Sequence, residues 1–148
     1  MVIIEDTRNQ VGKHKLLNEQ LKTLGHIVIR TKLYIGDYAR FDNQTVCIDT
    51  KKDWLEVANN ITKQHERFKK ECLRAKELGI KLIILVEQDT PCREWISPKR
   101  KDGTYISQVK GETLQKAVDT MRDRYGVEFC YCSKKETANK IIKILGGE

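Results

Sequence analysis

Apolar positions along the chain fall into short runs and helical stripes that alternate. "MVIIE" at 1–5 reads as a short buried strand. Residues 10–24, "QVGKHKLLNEQLKTL", put Leu17, Leu21 and Leu24 on one helical face, with Gly25 as the stop. "HIVIRTKL" at 26–33 reads as a strand. A long helical region is expected over roughly 53–78, with Ile61, Phe68, Cys72 and Ala75 on one stripe and Gly79 ending it. "KLIILVE" at 81–87 is a continuous apolar run bounded by turn signals, the pattern of a strand covered on both faces. Leu114, Ala117, Val118, Met121 and Tyr125 recur at i, i+3, i+4, i+7 and i+11, an amphipathic helix. "GVEFCYC" at 126–132 alternates as a strand. "SKKE" at 133–136 predicts a capping box that opens a last helix with Ala138, Ile141, Ile142 and Leu145 inward.

That order predicts an α/β fold: a mixed central sheet with at least one hairpin, flanked by helices on both faces. The 148 residues suit a single domain, 1–148, with no repeat, linker or low-complexity tract. Apolar residues at 39% and charged residues at 33% exclude a disordered or membrane-embedded chain. The longest apolar run, 80–86, is too short to cross a bilayer, and the N-terminus lacks the shape of a signal peptide. A cytoplasmic protein of a bacterium or a phage-infected cell is expected. The five cysteines form no framework; "CYC" has no second pair, which argues against zinc.

The net charge of +7 favours a polyanionic partner. Residues 89–111 hold both prolines and five basic residues, and read as a long surface loop. Within it Lys99, Arg100 and Lys101 cluster near Trp95 and Tyr105. Such a group either grips a nucleic-acid strand by charge and stacking or is a soluble loop. Lys110 and Gly111 open the next helix, where an N-terminus can receive phosphate.

The stretch 34–53, "YIGDYARFDNQTVCIDTKKD", carries the candidate chemistry. Alternation puts Val46 and Ile48 on one strand face and Cys47, Asp49 and Lys51 on the other. A turn centred on Asn43 sets residues whose numbers sum to 86 opposite each other, so Asp37 faces Asp49. Cross-strand partners lie about 5 Å apart. Two carboxylates at that distance repel unless a cation lies between them, and oxygen ligands of this kind suit Mg²⁺ or Mn²⁺. Lys51 then sits beside the metal. The plain alternative is an exposed charged hairpin neutralised by neighbouring lysines.

Asp37 with Asp49-Thr50-Lys51 resembles the PD-(D/E)xK nuclease signature. More narrowly, the chain resembles the ERCC4-type nucleases of the XPF/Mus81 superfamily. The resemblance rests on "IIEDTRN" (3–9), "GDY" (36–38), "DTK" (49–51), "EVANNI" (56–61) and "QHERF" (64–68), in collinear order over about residues 2–88. It implies a restriction-endonuclease-like fold and a structure-selective DNA endonuclease that uses Mg²⁺ (or Mn²⁺). Asp37 and Asp49, with the Thr50 carbonyl, would be metal ligands. Lys51 would position the attacking water, and Asp6 would stand at the edge of the site. Arg8, Arg67, Gln64, Lys99, Arg100, Lys101 and Lys110 are the expected DNA contacts. Gln64, Arg67, Glu71 and Arg74 share the helical face opposite the Phe68 stripe. His65 is expected to pack, and Glu87 either reaches the site or is solvated.

The departures are specific. Asp49 stands for the family's glutamate, and Thr50 for its arginine. Asn9 replaces an acid. The acid after the motif comes one residue late as Glu56, with Asp53 as its rival. No helix-hairpin-helix segment follows, as in small stand-alone versions from phages and mobile elements. The alternatives are a catalytically silent nuclease-fold module that binds DNA as a partner subunit, and a basic interaction protein without a nucleic-acid role. The intact acid pair and Lys51 favour the enzyme. A homodimer could use the apolar faces of 113–125 and 136–145, which could equally be core.

Overall fold

The computed structural model describes residues 1–146. Its strands are β1 (Val2–Asp6), β2 (Ile27–Thr31), β3 (Tyr38–Arg40), β4 (Asn43–Lys51), β5 (Lys81–Val86) and β6 (Glu128–Tyr131). Its helices are α1 (Lys15–Thr23), α2 (Trp54–Thr62), α3 (His65–Glu77), α4 (Gly111–Tyr125) and α5 (Thr137–Ile144). They build one six-stranded sheet in the order β2-β1-β3-β4-β5-β6. β1 runs parallel to β2 and antiparallel to β3, β3 is antiparallel to β4, and β4, β5 and β6 are parallel.

Side-chain alternation divides the core in two. Ile3, Tyr38, Ile48 and Leu85 pack with Leu17 and Leu21 of α1 and Ala138 and Ile141 of α5. Ile4, Ala39, Cys47, Leu82 and Ile84 pack with Trp54, Phe68, Leu114 and Val118 from α2, α3 and α4. Helices therefore cover both faces. Asp6, Asp49 and Lys51 follow Ile4 and Cys47 by even steps, so they belong to the α2–α4 face. β5 is apolar on both sides because both cores need it: Leu82 to Val86 are all buried.

Several expectations are corrected. The helical region 53–78 is two helices, broken at residues 63–64, where Gln64 leaves helical geometry (φ −118°, ψ 29°). The first helix begins only at Lys15, because Gly12 turns the chain with φ 88°. Leu24 is about half exposed rather than inward. "SKKE" forms a short 3-10 turn, and the Ser133 side chain makes no capping bond. The capping device sits instead at α2, where Asp53 accepts a hydrogen bond from the Glu56 amide at 2.9 Å. The 89–111 segment is largely exposed, as expected of a surface loop, but Trp95 within it is only 3% exposed, so it cannot stack on a nucleic acid. The apolar stripes of α4 and α5 lie inside this chain, so they offer no pairing face.

The β3–β4 hairpin corrects itself. Its turn is at residues 41–42, and Asn43 is the first residue of β4. Near the turn Arg40 pairs with Asn43, but a bulge between Ala39 and Arg40 resets the register to Ala39–Cys47 and Tyr38–Ile48. Those pairs sum to 86; the ladder ends at Tyr38, and the Asp37 amide then donates to the Ile48 carbonyl, which sets Asp37 beside the Asp49 end of β4.

Candidate active site

The topology gathers three strand ends. β1 ends where β3 begins, and β3 begins where β4 ends, because both pairings are antiparallel. Asp6, Asp37 and Asp49 thus meet at one edge of the sheet. The backbone ties them: the Asp6 amide donates to the Asp37 carbonyl at 2.8 Å, and the Asp37 amide to the Ile48 carbonyl at 2.7 Å. Gly36 makes the approach possible. Its φ is 78°, and a Cβ there would stand 2.9 Å from the Ile48 carbonyl oxygen.

These acids floor a pocket of about 520 Å³. One wall is the β1–α1 connection, with Arg8, Asn9 and Lys13; the other is the α2–α3 corner, with Glu56, Asn60, Gln64, Arg67, Phe68 and Glu71. Asp6, Arg8, Asp37, Asp49, Lys51, Gln64 and Arg67, all expected at the site, line this one cavity. Thr50 lies beneath it and does different work. Its amide and hydroxyl donate to Asp37 Oδ2 at 2.9 and 2.8 Å. Asp6 is held by the Leu33 amide at 2.8 Å and by the Arg8 guanidinium.

Asp49 is the unsatisfied member. Lys51 Nζ lies 3.0 Å from its Oδ2. Beyond this ion pair, that buried oxygen accepts no hydrogen bond. Burial, then the Asp37 charge, hold the Asp49 carboxyl well above the usual carboxylate range, against the pull of Lys51. Burial alone would lower Lys51, but the charge of Asp49, with Glu56 and Glu71, leaves its pKa raised, so the side chain is an ammonium.

This donor set fits a hard divalent cation of the magnesium type. Two carboxylates line one pocket, one of them with an oxygen held by Lys51 alone, and Mg²⁺ is commonly held by one or two carboxylates, with waters and phosphates completing its shell. Among the described residues no three acid, histidine or cysteine side chains converge as a preformed metal cluster.

Lys99, Arg100, Lys101 and Lys110 stand outside this cavity. Lys99 lies over the Tyr105 ring at 5.1 Å. Arg100 donates to the Tyr105 carbonyl at 2.8 Å. Lys110 borders a separate pocket of about 490 Å³. Glu87 accepts from the Thr137 hydroxyl at 2.9 Å and does not line the site. His65 is exposed beside Glu66, not packed. The rivalry of Asp53 and Glu56 resolves: Asp53 caps α2, and Glu56 lines the pocket. Asn60, Phe68 and Lys13 were not expected there. The helical period from Glu56 through Asn60 and Gln64 to Glu71 could have revealed Asn60; Lys13, on an irregular connection, leaves no such signal.

The ERCC4 domain model matches residues 5–145, and the chain belongs to that family. Its fold is similar to that of XPF from Aeropyrum pernix, at TM-score 0.69 and 19% identity over 98% of this chain and 60% of that one. XPF from Aeropyrum pernix in complex with DNA matches equally, at TM-score 0.69 and 19% identity over 97% of this chain and 62% of that one. This chain therefore spans about three fifths of the length of those structures. No curated protein matches the sequence. Among the described residues no helix is long and apolar enough to cross a membrane.

Proposed function

We propose that this chain is a metal-dependent DNA endonuclease that hydrolyses phosphodiester bonds, with a preference for branched or otherwise non-uniform DNA. The observation that carries the reading is Asp49: a buried carboxylate beside a second one, whose Oδ2 has the Lys51 ammonium as its ion-pair partner and accepts no further hydrogen bond. Asp37, Asp49 and the Thr50 carbonyl would hold Mg²⁺ or Mn²⁺. Such a cation neutralises charge on a phosphate and makes a water a better nucleophile near neutral pH.

The remaining work falls to the chain itself. Thr50 fixes Asp37, so one ligand oxygen is already committed to its place. Lys51, an ammonium, faces the scissile phosphate and orients the attacking water or stabilises the charge that grows there. Arg8 and Lys13 on one wall and Arg67 on the other hold flanking phosphates. Asp6 is engaged by Arg8 and the Leu33 amide, so it shapes the edge of the site. Lys99, Arg100, Lys101 and Lys110 are read as a second, remote DNA contact that adds salt-dependent affinity.

The test is cleavage of a labelled panel (duplex, flap, fork, four-way junction, single strand) with Mg²⁺, Mn²⁺ or EDTA. Wild type and Asp49→Asn are compared. Metal-dependent cutting that the variant loses supports the enzyme. Equal band shifts without cutting would leave a DNA-binding module.

A further inference from the structure

Lys51 lies between two acids. Asp49 Oδ2 is 3.0 Å from its Nζ on one side, and Glu56 Oε1 is 4.0 Å away on the other. Glu56 is not free to drift. Its second oxygen, Oε2, accepts from the Lys52 amide at 3.3 Å, and its own amide is capped by Asp53 at 2.9 Å. This reciprocal pair at the start of α2 resembles a capping box, and it leaves Oε1 turned toward Lys51. The Phe68 ring stands 6.0 Å from Nζ and closes an apolar side. The lysine side chain is only 13% exposed, so it cannot simply swing into water.

We infer that Glu56 is a positioning residue that receives Lys51 when Asp49 is engaged by a divalent cation. The inference rests on the nuclease reading above. In the metal-free protein Lys51 neutralises Asp49, and so competes with a cation for the same oxygen. For Asp49 to turn to a cation, the ammonium must leave it. A buried ammonium without a partner is costly. Glu56, already held 4.0 Å away, offers that partner with a small displacement. The lysine then stays inside the pocket, beside the substrate phosphate, instead of folding back onto a ligand. Asn60, one turn further along α2, adds a second acceptor on this wall. It is 9% exposed; its amide nitrogen donates to Gln64 at 2.8 Å, and its Oδ1 has no hydrogen-bond partner.

The test is a double-mutant cycle read in metal binding without DNA: the thermal midpoint of the protein against MgCl₂ concentration, for wild type, Glu56→Gln, Lys51→Met and the double variant. Glu56→Gln is expected to need about fivefold more MgCl₂ for its half-maximal shift, the ratio that an ion pair of about 1 kcal/mol gives. In the Lys51→Met background the same change is expected to have no effect, because there is no lysine to receive. An effect of equal size in both backgrounds would mean that Glu56 acts only through its field, and would overturn the inference. So would no effect in either. In both of those cases a MgCl₂ shift that Asp49→Asn abolishes keeps the metal site itself. A wild type that shows no shift with MgCl₂ and cuts nothing overturns the nuclease reading together with the inference.

Discussion

Thr50→Val isolates one hydrogen bond at the heart of the site. The substitution keeps the shape and the β-branched preference of the strand and removes only the hydroxyl. That hydroxyl donates to Asp37 Oδ2 at 2.8 Å, beside the amide of the same residue at 2.9 Å. Thr50 is 7% and Asp37 7% exposed, so water does not replace the lost donor. A hydrogen bond to a charged group contributes about 1.5–3 kcal/mol, and a neutral one about half as much. Thr50→Val is therefore expected to destabilise the metal-free protein by about 2 kcal/mol. In an Asp37→Asn background the same change should cost about 1 kcal/mol. Urea denaturation in EDTA measures both, with an unchanged denaturant slope showing that the change is one of stability. Thr50→Ser keeps the donor and should stay close to wild type. A cost below about 0.5 kcal/mol would refute the reasoning, as would an equal cost in both backgrounds, since either means that the hydroxyl does not discriminate a carboxylate from an amide.

Three further outcomes follow from the same geometry. Asp49 titrates above its usual 3.8 when folded, so the folded state binds the extra proton between that value and its raised one. Stability of the metal-free protein should therefore fall as pH rises from about 4, and Asp49→Asn should abolish that slope while removing cleavage; urea midpoints at pH 4.5 and 7 decide it. Gly36→Ala combines a left-handed φ of 78° with a Cβ 2.9 Å from the Ile48 carbonyl, so it should cost about 1–3 kcal/mol and misplace Asp37, read as a lower thermal midpoint and slower cutting. Lys51→Met should slow cleavage by about 10²-fold or more while leaving DNA affinity close to wild type, measured by single-turnover cutting against filter binding.

Much of this was legible in the sequence, for a physical reason. Period-2 and period-3.6 patterns report which face meets the core, so β5, α4 and the inward face of α5 could be read from apolar residues alone. The shared face of Asp49 and Lys51 was legible because alternation along β4 is rigid. The register across the hairpin held even though the turn lay elsewhere, since the bulge at residues 39–40 absorbed the difference. What could not be read depended on contacts between distant elements. The break at residues 63–64 leaves the apolar stripe in phase on both sides, so periodicity passes over it. Trp95 looks like a loop aromatic until the packing of its segment is known. Thr50 looked like a lost arginine, but its role is set by Asp37, thirteen residues away.

The site's position follows from how the sheet changes direction. β4 is antiparallel to β3 on one side and parallel to β5 on the other. β4 leads through α2 and α3 to its parallel neighbour β5, and the pocket opens between the α2–α3 corner and the β1–α1 connection. Asp6, Asp37 and Asp49 line one pocket there because the antiparallel pairings bring the end of β1, the start of β3 and the end of β4 together. That arrangement works against folding: it buries a carboxylate whose oxygen is held by Lys51 alone and bends a glycine into the left-handed region. Two dry cores on either side of the sheet offset the cost, and the price is concentrated in the few residues that a cation and a phosphate would relieve.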